Sequence, residues 1–457
     1  MLKNTSSMKI NIICDFQQRP EYSKKFDIDE AAIYLSTDSR LGNVFLDSNA
    51  IATDLKCQLE PVSLDLCEIA GFVYLADKSI HRGEFDNWPR NMSFLIPVRH
   101  PAKWNSLKQL LRYTIATLTG DNVDFHFVTR VEEKHSSTPK ISDHEQQAAY
   151  APSDSVALFS GGLDSFAGTV YLLQQGRRPL LVSHHVNAVL KNLQSNLVRE
   201  IEAKFAVGVE RLQFRLTSRR LRDTRFAFKA KESSHRARSF MFMSFGAVAA
   251  AARGLSDIFI CENGVLALNV PLSEARKGTR STRHAHPLYL SYFNQLIDSL
   301  YGRSYSVQNP FLFWSKSKEV ELLNKGGFRS SIKRTVSCWG YPNQTIQFKD
   351  SNHCGYCIPC IVRRVSVEAN RLGKYDDHYH TNAFAPGAHD NGDRGRNISD
   401  LIFFCKFVAS HSISEIIYRY PEFITIEAHR ERDCPDKVAT IIGVYKQFSK
   451  EVLALVR

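Results

Sequence analysis

Two stretches of this chain carry residue types at spacings suited to chemistry. The first is SVALFSGGLDSF, from Ser155 to Phe166. Its apolar run, Val156 to Phe159, reads as a buried parallel strand that Ser160-Gly161-Gly162-Leu163-Asp164-Ser165 turns into a helix. Adjacent glycines can take positive φ and let a ligand approach bare backbone. Their N–H groups, the new helix N-terminus and the hydroxyls of Ser160 and Ser165 together form a cradle for an anion. The Walker phosphate loop has a different pattern, GxxxxGK[ST]. The plainer alternative is an ordinary glycine-rich βα turn.

The second stretch is C-x15-C-x2-C-x2-C, formed by Cys338, Cys354, Cys357 and Cys360. Two-residue spacers let the sulfurs of CGYCIPC converge on one ion, Gly355 eases the turn, and Cys338 supplies a fourth thiolate. Four thiolates close a tetrahedral Zn²⁺ site with no open position, so the metal is expected to be structural. An iron–sulfur cluster and four independent thiols are the alternatives. His353, Lys349, Arg363 and Arg364 are at hand to offset the negative charge of a thiolate-bound zinc.

The elements that must position these groups belong to a soluble globular chain. It has 457 residues, enough for two or three domains, with 43% hydrophobic and 23% charged residues. No apolar run approaches the length of a membrane span; the best, Phe245 to Ala252, is alanine-rich and interrupted by glycine, and the first residues lack the apolar core of a secretion signal. Ten cysteines without such a signal point to the reducing cytoplasm, so a cytoplasmic location with no membrane partner is expected. The net charge of +12 is uneven: ten lysines and arginines lie between Arg211 and Arg238, against only Asp223 and Glu232. Such a run suits a polyanion channel or, more plainly, a solvated helix face.

Along the chain no internal repeat stands out. Residues 1–131 read as an α+β domain. Leu66, Ile69, Val73, Ala76 and Ile80 keep a helical period with Ser63 as candidate cap, and Phe94, Ile96 and Val98 alternate as a strand. Trp104, Leu107, Leu111 and Leu118 mark another helix, stopped at Gly120-Asp121 before a strand through Val123, Phe125 and Phe127. Residues 132–154 read as a linker. Strands at 156–159, 179–184 and 257–261, with helical stretches between them, imply a doubly wound parallel sheet over residues 155–337. Ligands of such sheets sit at the carboxyl ends of the strands, where the glycines of SGGLDS fall. The four-cysteine module spans 338–375, a flexible loop 384–397 and a helical carboxyl-terminal region 398–457, where Val438, Ile442, Tyr445, Phe448 and Val452 form a packing stripe.

SGGxDS after a strand resembles the PP-loop of the N-type ATP pyrophosphatases, of the adenine nucleotide alpha hydrolase type. A PP-loop followed about 170 residues later by SCW…HCGYCIPCIVR is similar to the QueC family, the 7-cyano-7-deazaguanine synthases. That resemblance covers roughly residues 150–370, and the family's Lys-x-Glu-Ile/Val element is approximated by Lys316, Lys318, Glu319 and Val320 in uncertain register. The chain departs from the family in length, in lacking a YPDC-type motif, and in carrying Arg238-Ser239 where those enzymes have Arg-Asn. Its amino-terminal region, with ENG at Glu262–Gly264 and the STRxxHP pattern at Ser281–Pro287, looks like the long QueC-like subunits of bacterial antiphage operons, the QatC type.

The resemblance implies ATP chemistry on a deazapurine carboxylate such as 7-carboxy-7-deazaguanine. The carboxylate is adenylated with loss of pyrophosphate, and an amine, from ammonia or a partner protein of the same operon, displaces AMP. By the same resemblance ATP is held by Phe159, Ser160, Gly161, Gly162, Leu163, Asp164, Ser165, Phe166, Ala167, Gly168 and Thr169. Mg²⁺ is expected at this loop, helped by Asp164, and Zn²⁺ at the cysteines. Arg238 and Arg283 are candidates to neutralise phosphate or carboxylate charge, and His284 and His286 to carry protons. Glu262, Asn263, Gly264 and Ser239 are expected around the substrate.

Two rival readings stand beside this one. A tRNA-thiolating PP-loop enzyme would bind nucleic acid and need a persulfide-carrying cysteine, for which Cys261 is the candidate inside the domain. A zinc-stabilised, nucleotide-binding interaction subunit would bind ATP without turnover. The intact SGGLDS argues against the second, because a degenerate loop would suffice for scaffolding.

Overall fold

The protein is described here by a computed structural model, covering residues 9–15, 32–37, 42–82, 89–130, 152–218, 232, 235–273, 283–341, 351–385, 392–429, 434 and 436–456. The expected linker therefore lies outside the described residues up to 151, as do residues 219–231 of the basic run and Lys349.

The amino-terminal region contains β1 (Lys9–Cys14), β2 (Ile33–Leu35), β3 (Val44–Leu46), α1 (Ser48–Leu55), α2 (Pro61–Ser79), β4 (Asn91–Val98), α3 (Pro101–Thr119) and β5 (Asn122–Thr129). Proline opens both long helices at a position where its missing N–H costs nothing, and Gly120 ends α3 at φ 80°. Ser63 does not cap α2: the helix starts two residues earlier, and the Ser63 hydroxyl lies 2.9 Å from that of Tyr301. β2-β1-β4-β5 form a parallel sheet.

The second sheet is built from β6 (Ser155–Leu158), α4 (Leu163–Gln174), β7 (Pro179–His185), α5 (Ala188–Phe205), β8 (Arg211–Ser218), α6 (Arg238–Ala252), β9 (Asp257–Phe259), α7 (Gly264–Ala267), α8 (Pro287–Tyr301) and β10 (Ser306–Gln308). Its order is β10-β9-β6-β7-β8-β3, parallel except for β3, which leaves the first region to pair antiparallel with β8. All residues of β6 and β7 are buried, as befits central strands covered on both faces. Val156 and Leu158 point into one core with α6, while Ala157 and Phe159 join α4 and α5 on the other side. The chain moves from β6 to β7 and β8, then returns past β6 to β9. The direction of winding thus reverses between β6 and β9, and an open α/β sheet offers its ligand crevice at the carboxyl ends of such a pair.

The two regions are joined by more than β3. Asp77 of α2 accepts the Ala237 N–H at 2.8 Å, just ahead of α6, and Asp77 and Asp121 share the buried guanidinium groups of Arg82 and Arg90.

Beyond the sheets lie α9 (Lys316–Lys325), α10 (Ile358–Ala369), α11 (Gly392–Ser410), α12 (Ile413–Arg419) and α13 (Lys437–Leu455). In the segment 384–397, expected as a loop, residues 386–391 lie outside the described residues and α11 has already begun at Gly392. Ile442, Tyr445, Phe448 and Val452 of α13 are buried, as a packing stripe requires. No helix among the described residues is long and apolar enough to cross a membrane.

Candidate functional site

SGGLDS leaves β6 at the reversal point and enters α4. Phe159 is fully buried and continues the strand pairing by donating its N–H to Val182 at 2.8 Å. Gly161 has φ +85°, and a Cβ there would lie 2.6 Å from Leu193 Cδ2, so both its conformation and its neighbours demand glycine. The Ser160 hydroxyl accepts the Gly162 N–H at 3.2 Å and lies 3.2 Å from the Ser165 hydroxyl. Gly162 caps α4 without a side chain, so the first turn of the helix is not closed by a capping side-chain oxygen. Leu163, Phe166 and Ala167 are fully buried, Gly168 packs where a Cβ would meet Cys261 Sγ at 2.2 Å, and Thr169 bonds back to the Ser165 carbonyl at 2.9 Å. Of the expected segment 159–169, then, Ser160, Gly162 and Asp164 are the partly exposed residues.

Asp164 is the junction of the site. One carboxylate oxygen accepts from Asn263 Nδ2 at 2.8 Å and the other from Lys316 Nζ. Burial alone would raise this carboxyl, but the Lys316 ammonium overrides it and holds Asp164 well below the usual carboxylate range. Lys316 therefore fills the basic position whose register the sequence leaves open, while Lys318 lies over the Trp314 ring at 4.2 Å. Glu319 is fully buried, one oxygen 3.9 Å from Lys316 Nζ, and neither oxygen has a hydrogen-bond partner within normal reach. Burial and then the Asp164 charge push its carboxyl well up.

After β9 come Cys261, Glu262 and Asn263. Asn309 clasps this turn, its Oδ1 accepting the Glu262 N–H at 3.2 Å and its Nδ2 donating to the Glu262 carbonyl at 2.8 Å. Asn263 also donates to Glu262 Oε1 at 3.0 Å, and Glu262 Oε2 meets His284 Nε2 at 2.5 Å. Burial, followed by the Asp164 charge, raises the Glu262 carboxyl against the opposing pull of His284. A continuous polar chain thus runs from His284, about one-third exposed, through Glu262 and Asn263 to Asp164 and Lys316. Such a chain can hold a proton at Glu262 or His284 beside the SGGLDS loop.

The other expected residues are placed as follows. Gly264 opens α7 with its N–H on the Trp314 carbonyl at 2.9 Å, and a Cβ there would sit 2.1 Å from the Leu312 carbonyl, so its smallness serves chain packing. His286 caps α8, accepting the Leu288 N–H at 3.2 Å while its other ring nitrogen lies 3.1 Å from the Thr425 hydroxyl; it is a structural histidine. Arg283 opens the short turn that carries His284. Arg238 and Ser239, both partly exposed, begin α6, and the Arg238 charge reaches His184, Tyr74 and His235. His184 is buried with Nε2 3.0 Å from the Leu216 carbonyl, and burial and Arg238 keep it neutral, lowered to about 3. No local pattern points to Gln194, which donates to the carbonyls of both Ser160 and His184, or to Asn309.

Cys338, Cys354, Cys357 and Cys360 converge as the spacing requires: all are buried and their sulfurs lie within 4.8 Å of one another. Gly355 has φ +84° and packs where a Cβ would meet the Thr381 carbonyl at 1.9 Å. The four thiols fit a structural Zn²⁺, with no position left for a substrate. Arg363, one turn past Cys360, is fully buried and bonds Asp376 at 2.8 Å, while Arg364 reaches Asn382 at 2.6 Å.

These features define a doubly wound α/β domain with a PP-loop at its winding reversal and a four-cysteine site behind it. Residues 154–371 match the family described as "Queuosine biosynthesis protein QueC", which makes this part of the chain a QueC-like domain. No curated protein matches the chain.

Proposed function

We propose that the QueC-like domain binds ATP at SGGLDS and uses it to activate a carboxylate for transfer to an amine. The observation that carries this reading is Asp164, held by Lys316 and Asn263 in the first turn of α4, with the Glu262–His284 pair on the same polar chain. A carboxylate is a poor electrophile because its leaving group would be an oxide. Attack of its oxygen on the α-phosphorus of ATP forms an acyl-adenylate and releases pyrophosphate. The amine nitrogen then attacks the acyl carbon, AMP departs, and the proton lost by nitrogen passes to Glu262 or His284.

In this scheme the glycine N–H groups, Ser160 and Ser165 grip the pyrophosphate as charge develops on it. Lys316 supplies a cation that Asp164 holds in place, and Arg238 at the start of α6 and Arg283 in the turn before α8 would neutralise charge on the anionic reactants. Mg²⁺, when bound with ATP, would neutralise phosphate charge, with Asp164 as the nearest carboxylate of the loop. The substrate class is a deazapurine carboxylate resembling 7-carboxy-7-deazaguanine. The amine is ammonia or a group on a partner protein encoded alongside. The long amino-terminal region favours a QatC-type antiphage role in the cytoplasm. Thiolation of tRNA fits less well: burial pushes the Cys261 thiol well above its usual range, and its sulfur is packed against Gly168.

The deciding experiment measures AMP release from ATP and Mg²⁺ with 7-carboxy-7-deazaguanine, with and without ammonium, and weighs the products by mass spectrometry. AMP with an amide or nitrile supports the complete scheme. AMP or a trapped adenylate without such a product directs the search to a protein amine. Absence of both AMP and an adenylate under every condition removes the proposal.

A further inference from the structure

We propose that Val336 is a positioning residue for the nucleotide loop, and that a metal held by the four cysteines tunes the affinity of that loop for ATP. This rests on the reading of SGGLDS as the ATP site. The Val336 N–H donates to the Gly161 carbonyl at 3.2 Å. On the next residue of the loop, a Cβ at Gly162 would sit 3.3 Å from the Val336 carbonyl. The backbone of Val336 is thus one wall of the glycine turn, contributed by a segment 170 or so residues away in sequence.

Two anchors hold that wall in place. Arg363 of α10 donates to the Thr335 carbonyl at 3.0 Å, the Thr335 hydroxyl at 2.8 Å and the Ile332 carbonyl at 2.6 Å. Past Val336, the Ser337 N–H donates to His353 Nε2 at 3.2 Å, and Cys338 joins the sulfur cluster. Cys357 and Cys360 sit at the start of the helix that carries Arg363. A metal bonded to Cys338, Cys357 and Cys360 would therefore tie both ends of this frame together. Without it the arm keeps the Arg363 anchor and loses its covalent tether at Cys338, freeing the wall of the loop to drift.

The test uses the full chain and an ATP analogue whose α,β-bridging oxygen is replaced by methylene, so that binding is read without turnover. Calorimetry compares the zinc-loaded protein, the same protein stripped by a chelator, the stripped protein given zinc again, and Val336→Pro. The proline deletes the N–H donated to Gly161, and Thr335 at φ −78° and ψ 150° already has the extended conformation that precedes proline readily. Val336→Pro should keep its zinc and bind the analogue about tenfold more weakly, the effect of one lost hydrogen bond. Stripping should weaken binding at least as much, and zinc should restore it. Hydrogen exchange of the loop amides, read without any ligand, should quicken on stripping; this keeps the test open if the proline variant does not fold. Unchanged affinity and unchanged exchange on stripping would overturn the inference while leaving the ATP site intact. Failure of the zinc-loaded protein itself to bind the analogue would instead overturn the ATP reading, and this inference with it.

Discussion

Lys316 of α9 donates to Asp164 at the start of α4, joining residues 152 positions apart inside the second sheet's crevice. The lysine side chain is 1% exposed and is the only cation within 4 Å of either Asp164 or Glu319 among the described residues. Lys316→Met should leave the Asp164 carboxylate without its counter-charge beside the buried Glu319 and cost about 3–5 kcal/mol, by analogy with other broken buried pairs. Thermal or urea denaturation checks this, and an unchanged midpoint would mean that the pair contributes nothing.

Glu319 should make the protein less stable as pH rises. Its folded carboxyl is raised well above the ordinary value by burial and by Asp164, so the native state keeps a proton that the unfolded chain releases above about 4.3. That preference contributes stability at acidic pH and is lost progressively toward the folded value, by up to ~1.4 kcal/mol per pH unit. Lys316 opposes the shift, while Glu262 and Asp164 reinforce it. Glu319→Gln mimics the protonated acid and should flatten the slope, which urea titrations at pH 6, 7 and 8 would read. Parallel slopes for the two proteins would contradict this.

The PP-loop and the cysteine cluster were legible because their chemistry is local: a strand, two glycines and fixed spacers can be read from contiguous residues. Glu262, Asn263 and His284 were also nameable, but their chain to Asp164 depends on β9 lying beside β6, a pairing no local pattern encodes. His286 looked like its neighbour His284 in sequence; only the start of α8 turns one into a cap. β3 is not legible because three residues carry no usable alternation, and its partner β8 lies far along the chain.

Substitution of two glycines separates conformation from space. Gly161 and Gly176 both have positive φ, at +85° and +76°, but a Cβ at Gly176 meets nothing within 4 Å. Gly176→Ala should cost only the left-handed backbone strain, about 1 kcal/mol. Gly161→Ala adds the collision with Leu193 and distortion of the cradle, and should both cost more and weaken ATP binding. Equal melting temperatures for the two variants would refute the crowding argument.

On the acid side, His184 sets the opposite slope. The unfolded imidazole takes up a proton near its ordinary 6.5, whereas burial and Arg238 keep the folded one neutral until about 3. Stability from this residue is therefore full above pH 6.5 and falls as pH drops through that window. His235, lowered to about 4 by burial and Lys78, acts in the same direction. His184→Gln retains a donor for the Leu216 carbonyl and should make the decline between pH 6.5 and 4 shallower. Denaturation midpoints across that range test it, and an unaltered decline would show that His184 does not control it.

The strand β3 ties the amino-terminal region into the second sheet. Because an amino-terminal segment supplies the last strand of the second sheet, and Asp77 pins the backbone just ahead of Arg238, the two regions cannot be shuffled like beads on a string. Cutting the chain before β6 would bare the edge of β8 and invite self-association. Recombination that exchanged the first region for another would have to bring a matching edge strand and a matching carboxylate. Removing the first region would thus leave both the β8 edge and the Ala237 N–H without their partners.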